Sequence, residues 1–233
     1  MDFMRKTTEN AKLIIPKKSL MIKTNVEDPV FFHYYPITRI LYRRRLKNTL
    51  ELLKPFRFKH VLEIGYGSGI FLPTLARLAD AVTALDIHTE TAGVQKMLDW
   101  YQLSQVKLVS GDLMQMPFPE NSFDGCVIIS TLENIEGSER AVKEIARVVQ
   151  LGGNIIVSFP VTNAVTNLLF RMVGYNPEEI HPSDQRYILG YLEKNFTVMR
   201  TIMYPSFATL NTALYISVHC YNDKLKQDKT ETV

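Results

Sequence analysis

The chain of 233 residues is 46% hydrophobic and 22% charged, enough apolar material for one ordinary domain core, which excludes a disordered or collagen-like polypeptide. Two cysteines, Cys126 and Cys220, form no C-x-x-C pair and exclude a disulfide framework or a zinc finger; both are expected as small core hydrophobes. The net charge of +3 is unevenly spread: residues 1–60 hold 14 Lys or Arg against 5 Asp or Glu, and the rest of the chain is acidic in balance.

Met1 to Lys18 has no apolar stretch of signal-peptide length. Ile37–Leu53 places Ile37, Ile40, Leu41, Leu50 and Leu53 near one side of a predicted helix, interleaved with Arg43, Arg44, Arg45 and Lys47. Such a basic amphipathic helix can cover a sheet or lie on a membrane surface. From His60 onward, short apolar runs alternate with helical patterns. His60–Ile64, Ala81–Asp86, Val106–Val109, Gly125–Ser130 and Asn154–Phe159 read as strands. Ile70–Ala79, Thr89–Tyr101 and Ser138–Val149 read as helices, the last stopped by Gly152-Gly153. Asn195–Met203 and Thr212–Tyr221 read as two further strands, with the period of two expected of a half-buried edge hairpin. The uncharged stretches Val148–Phe170 and Thr201–Asn222 carry Gly, Pro and Asn residues that break any membrane-spanning pattern.

The fold expected is therefore α/β: a Rossmann-like doubly wound sheet of seven strands, mostly parallel, with an antiparallel C-terminal edge hairpin. Residues 1–55 are expected as a basic, partly helical cap, residues 56–222 as the main domain and residues 223–233 as a polar tail. In such sheets ligands bind beyond the carboxyl ends of the strands.

The strongest local motif is Glu63-Ile64-Gly65-Tyr66-Gly67-Ser68-Gly69, which follows a strand and opens a helix. Its G-x-G-x-G spacing departs from the dinucleotide fingerprint, because position 70 is Ile where that pattern needs a third glycine. Asp86 ends the second strand, where a carboxylate can accept from a ribose diol, and Asp112 follows the third, where it can accept from an exocyclic amine. Either Asp alone could be a cap; acids after three successive strands are harder to explain that way.

With these motifs the chain resembles the class I S-adenosylmethionine-dependent methyltransferases, and within them the small-molecule group that includes the ubiquinone-biosynthesis C-methyltransferases. VLEIGYGSG is similar to their first motif, TALDIH to their acidic second motif, and GDLMQMPFPENSFDGCVIIS to the run from the adenine contact to the fourth strand. The resemblance implies that Gly65, Gly67 and Gly69 shape the pocket around the methionine part of the cofactor and that Glu63 helps hold its amino group. It implies ribose binding by Asp86, adenine packing by Ile87, an adenine amine contact by Asp112 with Leu113 beside it, and Ser130 near the methyl donor. It also implies a methyltransferase with S-adenosylmethionine as cofactor and no metal. Many relatives carry Glu-His after the fourth strand; this chain has Glu133-Asn134, and Asn is no general base at neutral pH.

A base, where the acceptor needs one, is expected at His181, between the fifth strand and a helix capped by Ser183; His33 is a second candidate, and His60, His88 and His219 are expected to be structural. Asn163–Val173 carries an apolar stripe that could form a lid or a core helix. These features favour a small or lipid-like acceptor over nucleic acid. They lead to the expectation of a cytoplasmic protein, with peripheral membrane contact through the basic N-terminal helix left open. A non-catalytic binding protein of the same fold and an RNA or protein methyltransferase stand as alternatives.

Overall fold

A computed structural model describes residues 10–25, 28–163, 166–167 and 185–223. Seven strands form one sheet: β1 (Phe58–Ile64), β2 (Ala79–Asp86), β3 (Val106–Ser110), β4 (Phe123–Ile129), β5 (Val149–Pro160), β6 (Thr197–Tyr204) and β7 (Tyr215–Tyr221), in the order β3-β2-β1-β4-β5-β7-β6. The β1–β2, β1–β4, β2–β3 and β4–β5 pairs are parallel, whereas β7 runs antiparallel to both β5 and β6.

The continuous apolar runs make sense because both sheet faces are covered. Cys126 and Ile128 of β4 with Ile155 and Val157 of β5 pack under α4 (Ser138–Val148) and α5 (Gln185–Asn195), through Val142, Ile145, Ile188 and Leu192. Val127 and Ile156 point to the other face, under α1 (Thr38–Leu53), the single turn α2 (Leu72–Leu75) and α3 (Thr91–Trp100), against Leu50, Leu53, Leu72 and Met97. Both cysteines are buried and free, as expected. No helix among the described residues is long and apolar enough to cross a membrane.

Three expectations need correction. The helix predicted over Ile70–Ala79 shrinks to the turn α2, continued by tight turns such as Leu78 N–H to Leu75 C=O, because the chain must already be extended at Ala79 to pair with Phe58. Gly152-Gly153 does not stop α4. That helix ends at Val148, and the two glycines lie inside β5, where a bulge against Phe123–Gly125 is taken up at Gly152 with φ +83°. The C-terminal pair is the expected antiparallel edge hairpin, with β7 beside β5 and β6 outermost. Both side-chain sets of β7 are consequently largely buried, and its Ser217 closes a hydrogen-bonded seam with Ser158 of β5 and Thr49 of α1, at 2.8 Å for each step. Finally, Leu46, Leu50, Leu52 and Leu53 of α1 are buried, but Ile37 and Ile40 are 84% and 64% exposed.

The segment before α1 packs on α2 and α3, the helices that follow β1 and β2. Ile14 is tied to Thr74 in both directions, Ile22 packs where a side chain on Gly93 would go, and the Tyr34 hydroxyl donates to Pro16 C=O at 2.7 Å.

Candidate functional site

Parallel pairing brings Ile64, Asp86 and Ser130 to the same end of the sheet, and three connections there carry the predicted motifs. The first is the glycine loop. Gly65, Gly67 and Gly69 all take positive φ, +72°, +49° and +74°, a region open to glycine at little cost. At Gly65 the need is also one of space, because a Cβ would collide with the side chain of Thr131, which follows β4.

Asp86 anchors this loop. Its Oδ2 accepts from Gly67 N–H at 2.8 Å and its Oδ1 from His88 N–H at 3.3 Å. His88, expected to be structural, braces the same loop: its Nε2 lies 3.1 Å from Gly67 C=O and its ring stands edge-on to buried Tyr66. Asp86 and His88 therefore clamp the loop from both sides. A carboxylate offers about four acceptor sites, so Asp86 keeps capacity for a diol. Ile87, next along, is 76% exposed and presents an apolar face with no protein covering it.

Glu63 lies under the loop, buried, with Oε2 lacking a partner. Burial, reinforced by the nearby charge of Asp86, pushes its pKa up to about 8. An orphaned carboxyl oxygen beneath a glycine loop fits a ligand ammonium. Asp112 follows β3, and its Oδ1 caps the 3-10 turn Leu113–Gln115 by accepting from Met114 N–H at 2.8 Å; the residue is exposed and Leu113 beside it is buried. The cap role weighed for Asp112 is thus real, and it leaves the second carboxylate oxygen able to serve an amine.

Ser130 ends β4 with φ +54°, a strained value for a residue with a side chain. Its Oγ accepts from Arg45 Nη1 at 2.9 Å and lies 2.8 Å from the Tyr215 hydroxyl of β7. Arg45 also reaches His33 Nε2 at 3.3 Å. Burial, then the charges of Arg45 and Arg43, lower the His33 pKa to about 2, which leaves its imidazole a poor base. Glu133, in the 3-10 turn after β4, is 2% exposed with neither carboxyl oxygen bonded, and burial raises its pKa to about 8 against the opposing pull of Arg45.

The sequence patterns missed Arg45, His88, Thr131 and Tyr215. Arg45 looked like one more cation on a basic helix, and Tyr215 like one residue of an alternating strand; the packing of α1 brings the first to Ser130, and the insertion of β7 beside β5 brings the second. His181, Ser183 and most of the Asn163–Val173 stripe lie outside the described residues. Two surface clefts, one lined by Arg57, Arg77 and Gln105 and the other by His60, Thr83 and Phe123, draw on the amino-terminal ends of the strands and contain no glycine-loop residue. Among the described residues no group of His, Cys, Asp and Glu could hold a metal ion.

Comparison with known proteins is consistent with this geometry. A family model described as a methyltransferase domain matches residues 62–157. The chain is similar to a demethylmenaquinone methyltransferase of Geobacillus sp. (strain WCH70), 29% identical over 160 residues that make up 65% of this chain and 67% of that one. It is also similar to a ubiquinone/menaquinone biosynthesis C-methyltransferase, UbiE, of Azotobacter vinelandii, 31% identical over 122 residues, 50% of this chain and 48% of that one. Among solved structures it is similar to the N-methyltransferase NodS from Bradyrhizobium japonicum WM9 in complex with S-adenosyl-L-homocysteine, with a TM-score of 0.64, 18% identity and coverage of 88% and 96% of the two chains. At that identity the last match speaks for the fold alone.

Proposed function

We propose that the chain is a class I S-adenosylmethionine-dependent methyltransferase that moves a methyl group to a small, lipid-like acceptor of the quinol type. The observation that carries the proposal is the row of Glu63, Asp86 and Asp112 at the ends of β1, β2 and β3, set around a glycine loop whose three positive-φ residues leave room for a ligand. These residues fit the cofactor chemically: an orphaned carboxyl for an ammonium, a carboxylate with spare capacity for a diol, and an acceptor for an exocyclic amine.

When bound, the cofactor supplies a methyl group already activated on a sulfonium. The protein's part is then chiefly to position and to exclude water. Glu63, Asp86, Asp112 and the loop glycines hold the donor, Ile87 and Leu113 flank its base, and Ser130 and Thr131 mark the face towards the acceptor. His181 is the proposed base for an acceptor that must lose a proton; His33, tied to Arg45, is set aside. The quinol-type acceptor rests on the relatives' names, and its lipid-like character on the exposed Ile37 and Ile40, interleaved with exposed Arg39 and Arg44 on α1. An apolar pair within a basic helix suits contact with an anionic lipid surface.

The test is formation of S-adenosylhomocysteine from S-adenosylmethionine with a panel of naphthoquinols, and separately with RNA and with protein extracts. Product that depends on a naphthoquinol is expected. Product with RNA or protein alone would transfer the reaction to those acceptors. Cofactor binding without turnover on any panel would favour a non-catalytic binding protein.

A further inference from the structure

Among the described residues, Arg45 is a half-buried cation with no ion-pair partner. The ion pairs among the described residues involve other side chains. Its hydrogen-bond partners, Ser130 and His33, are neutral, and its Nε–H is buried without an acceptor. Glu133 lies within its electrostatic reach, but burial keeps the proton on that carboxyl up to about pH 8, and neither of its oxygens is bonded. A guanidinium removed from water and met only by neutral groups is costly unless an anion completes it.

The surroundings say which anion. Arg45 Cζ lies 4.8 Å from the Tyr42 ring centre and 6.0 Å from that of Tyr215, and Phe32 packs on Tyr42 at 5.2 Å. The position says what it is for. Ser130, which Arg45 holds, and Thr131, which packs against Gly65, are consecutive, so the cation stands one residue from the glycine loop. Three elements distant in sequence, α1, the end of β4 and the start of β7, converge there.

We propose that Arg45, with Ser130 and Tyr215, binds the methyl acceptor through an acidic oxygen carried on a planar ring. The proposal rests on the methyltransferase assignment and specifies its acceptor: a phenol, enol or aromatic acid that docks as the anion. A guanidinium supplies five N–H donors, of which two are committed here, and a charge-assisted bond to an oxyanion is about twice as strong as a neutral one. Ser130 and Tyr215 fix the guanidinium in place, and the Tyr42 and Tyr215 rings against it give the cation an aromatic surround that suits a planar acceptor.

The test uses the full chain loaded with S-adenosylhomocysteine and titrated by calorimetry with hydroxynaphthoate, naphthol, methoxynaphthalene and decanoate. Wild type is expected to bind hydroxynaphthoate and naphthol above its pKa, and methoxynaphthalene and decanoate more weakly. Arg45→Gln, which can still bond to Ser130, should weaken hydroxynaphthoate about tenfold or more while S-adenosylhomocysteine affinity is kept, and Arg45→Lys should recover part of the loss. Equal binding of hydroxynaphthoate by Arg45→Gln and wild type would overturn the proposal. So would methoxynaphthalene binding as tightly as the acids, or no acidic probe binding the loaded wild type. Decanoate matching hydroxynaphthoate would overturn the planar-ring part and keep the anion. Failure of folded wild type to bind S-adenosylhomocysteine would instead count against the cofactor assignment, and the Arg45 comparison is then read on the unliganded chain.

Discussion

Asp86 has two employments, since its carboxylate holds Gly67 and the His88 backbone while facing the place proposed for a ribose. Asp86→Ala should therefore cost roughly 1–3 kcal/mol of cofactor affinity, the scale of charge-assisted hydrogen bonds. Unchanged affinity by calorimetry would remove Asp86 from the ribose. Glu63 and Glu133 make a pH prediction. Burial raises both from the ordinary 4.5 to about 8, so between those values the native chain keeps protons that the unfolded chain has lost. Their contribution is then most favourable below pH 4.5 and declines as pH rises to about 8. Replacing both with Gln should flatten this decline of Tm with pH in the unliganded protein; parallel curves for variant and wild type would contradict the assigned burial. Gly65→Ala combines positive φ with a collision at Thr131 and should cost at least about 1–3 kcal/mol in stability or cofactor affinity. A variant as stable and as tight as wild type would show that the loop has slack the structure does not display.

At the scale of elements, α1 joins the fold to the site: Leu50 and Leu53 bury themselves against the sheet, Thr49 bonds to Ser158, and Arg45, one turn earlier, reaches Ser130. Leu53→Ala should cost about 2–5 kcal/mol by denaturant unfolding, as expected for a fully buried leucine. A loss of only a few tenths would mean that α1 is not an integral layer. Elements with strong local signals were legible in the sequence. The apolar runs of β1, β2, β4 and β5 and the amphipathic α4 are where periodicity puts them. The misplaced elements are those set by distant partners. The end of α2 is dictated by pairing of Ala79 with Phe58, and the Gly152 bulge by the register between β4 and β5. The site divides the same way. Glu63, the glycines, Asp86 and Asp112 are read from their place after strands, whereas Arg45 and Tyr215 acquire meaning only when α1 and β7 meet β4.

For the whole molecule, the N-terminal segment and α1 share a hydrophobic cluster with β1, α2 and α3. They also place the exposed Ile37 and Ile40 on a basic helix that leads to Arg45. If that helix meets lipid, vesicles rich in anionic headgroups should bind the chain more than neutral vesicles do. The double substitution Ile37→Glu and Ile40→Glu should reduce binding severalfold without loss of Tm; undiminished sedimentation would place any lipid contact elsewhere. The most direct test of the central claim is calorimetric titration of the purified chain with S-adenosylmethionine, S-adenosylhomocysteine and NAD. The geometry of Glu63, the glycine loop, Asp86 and Asp112 predicts binding of the first two on the order of micromolar Kd and none of NAD. A well-folded chain that binds NAD, or none of the three, would contradict it.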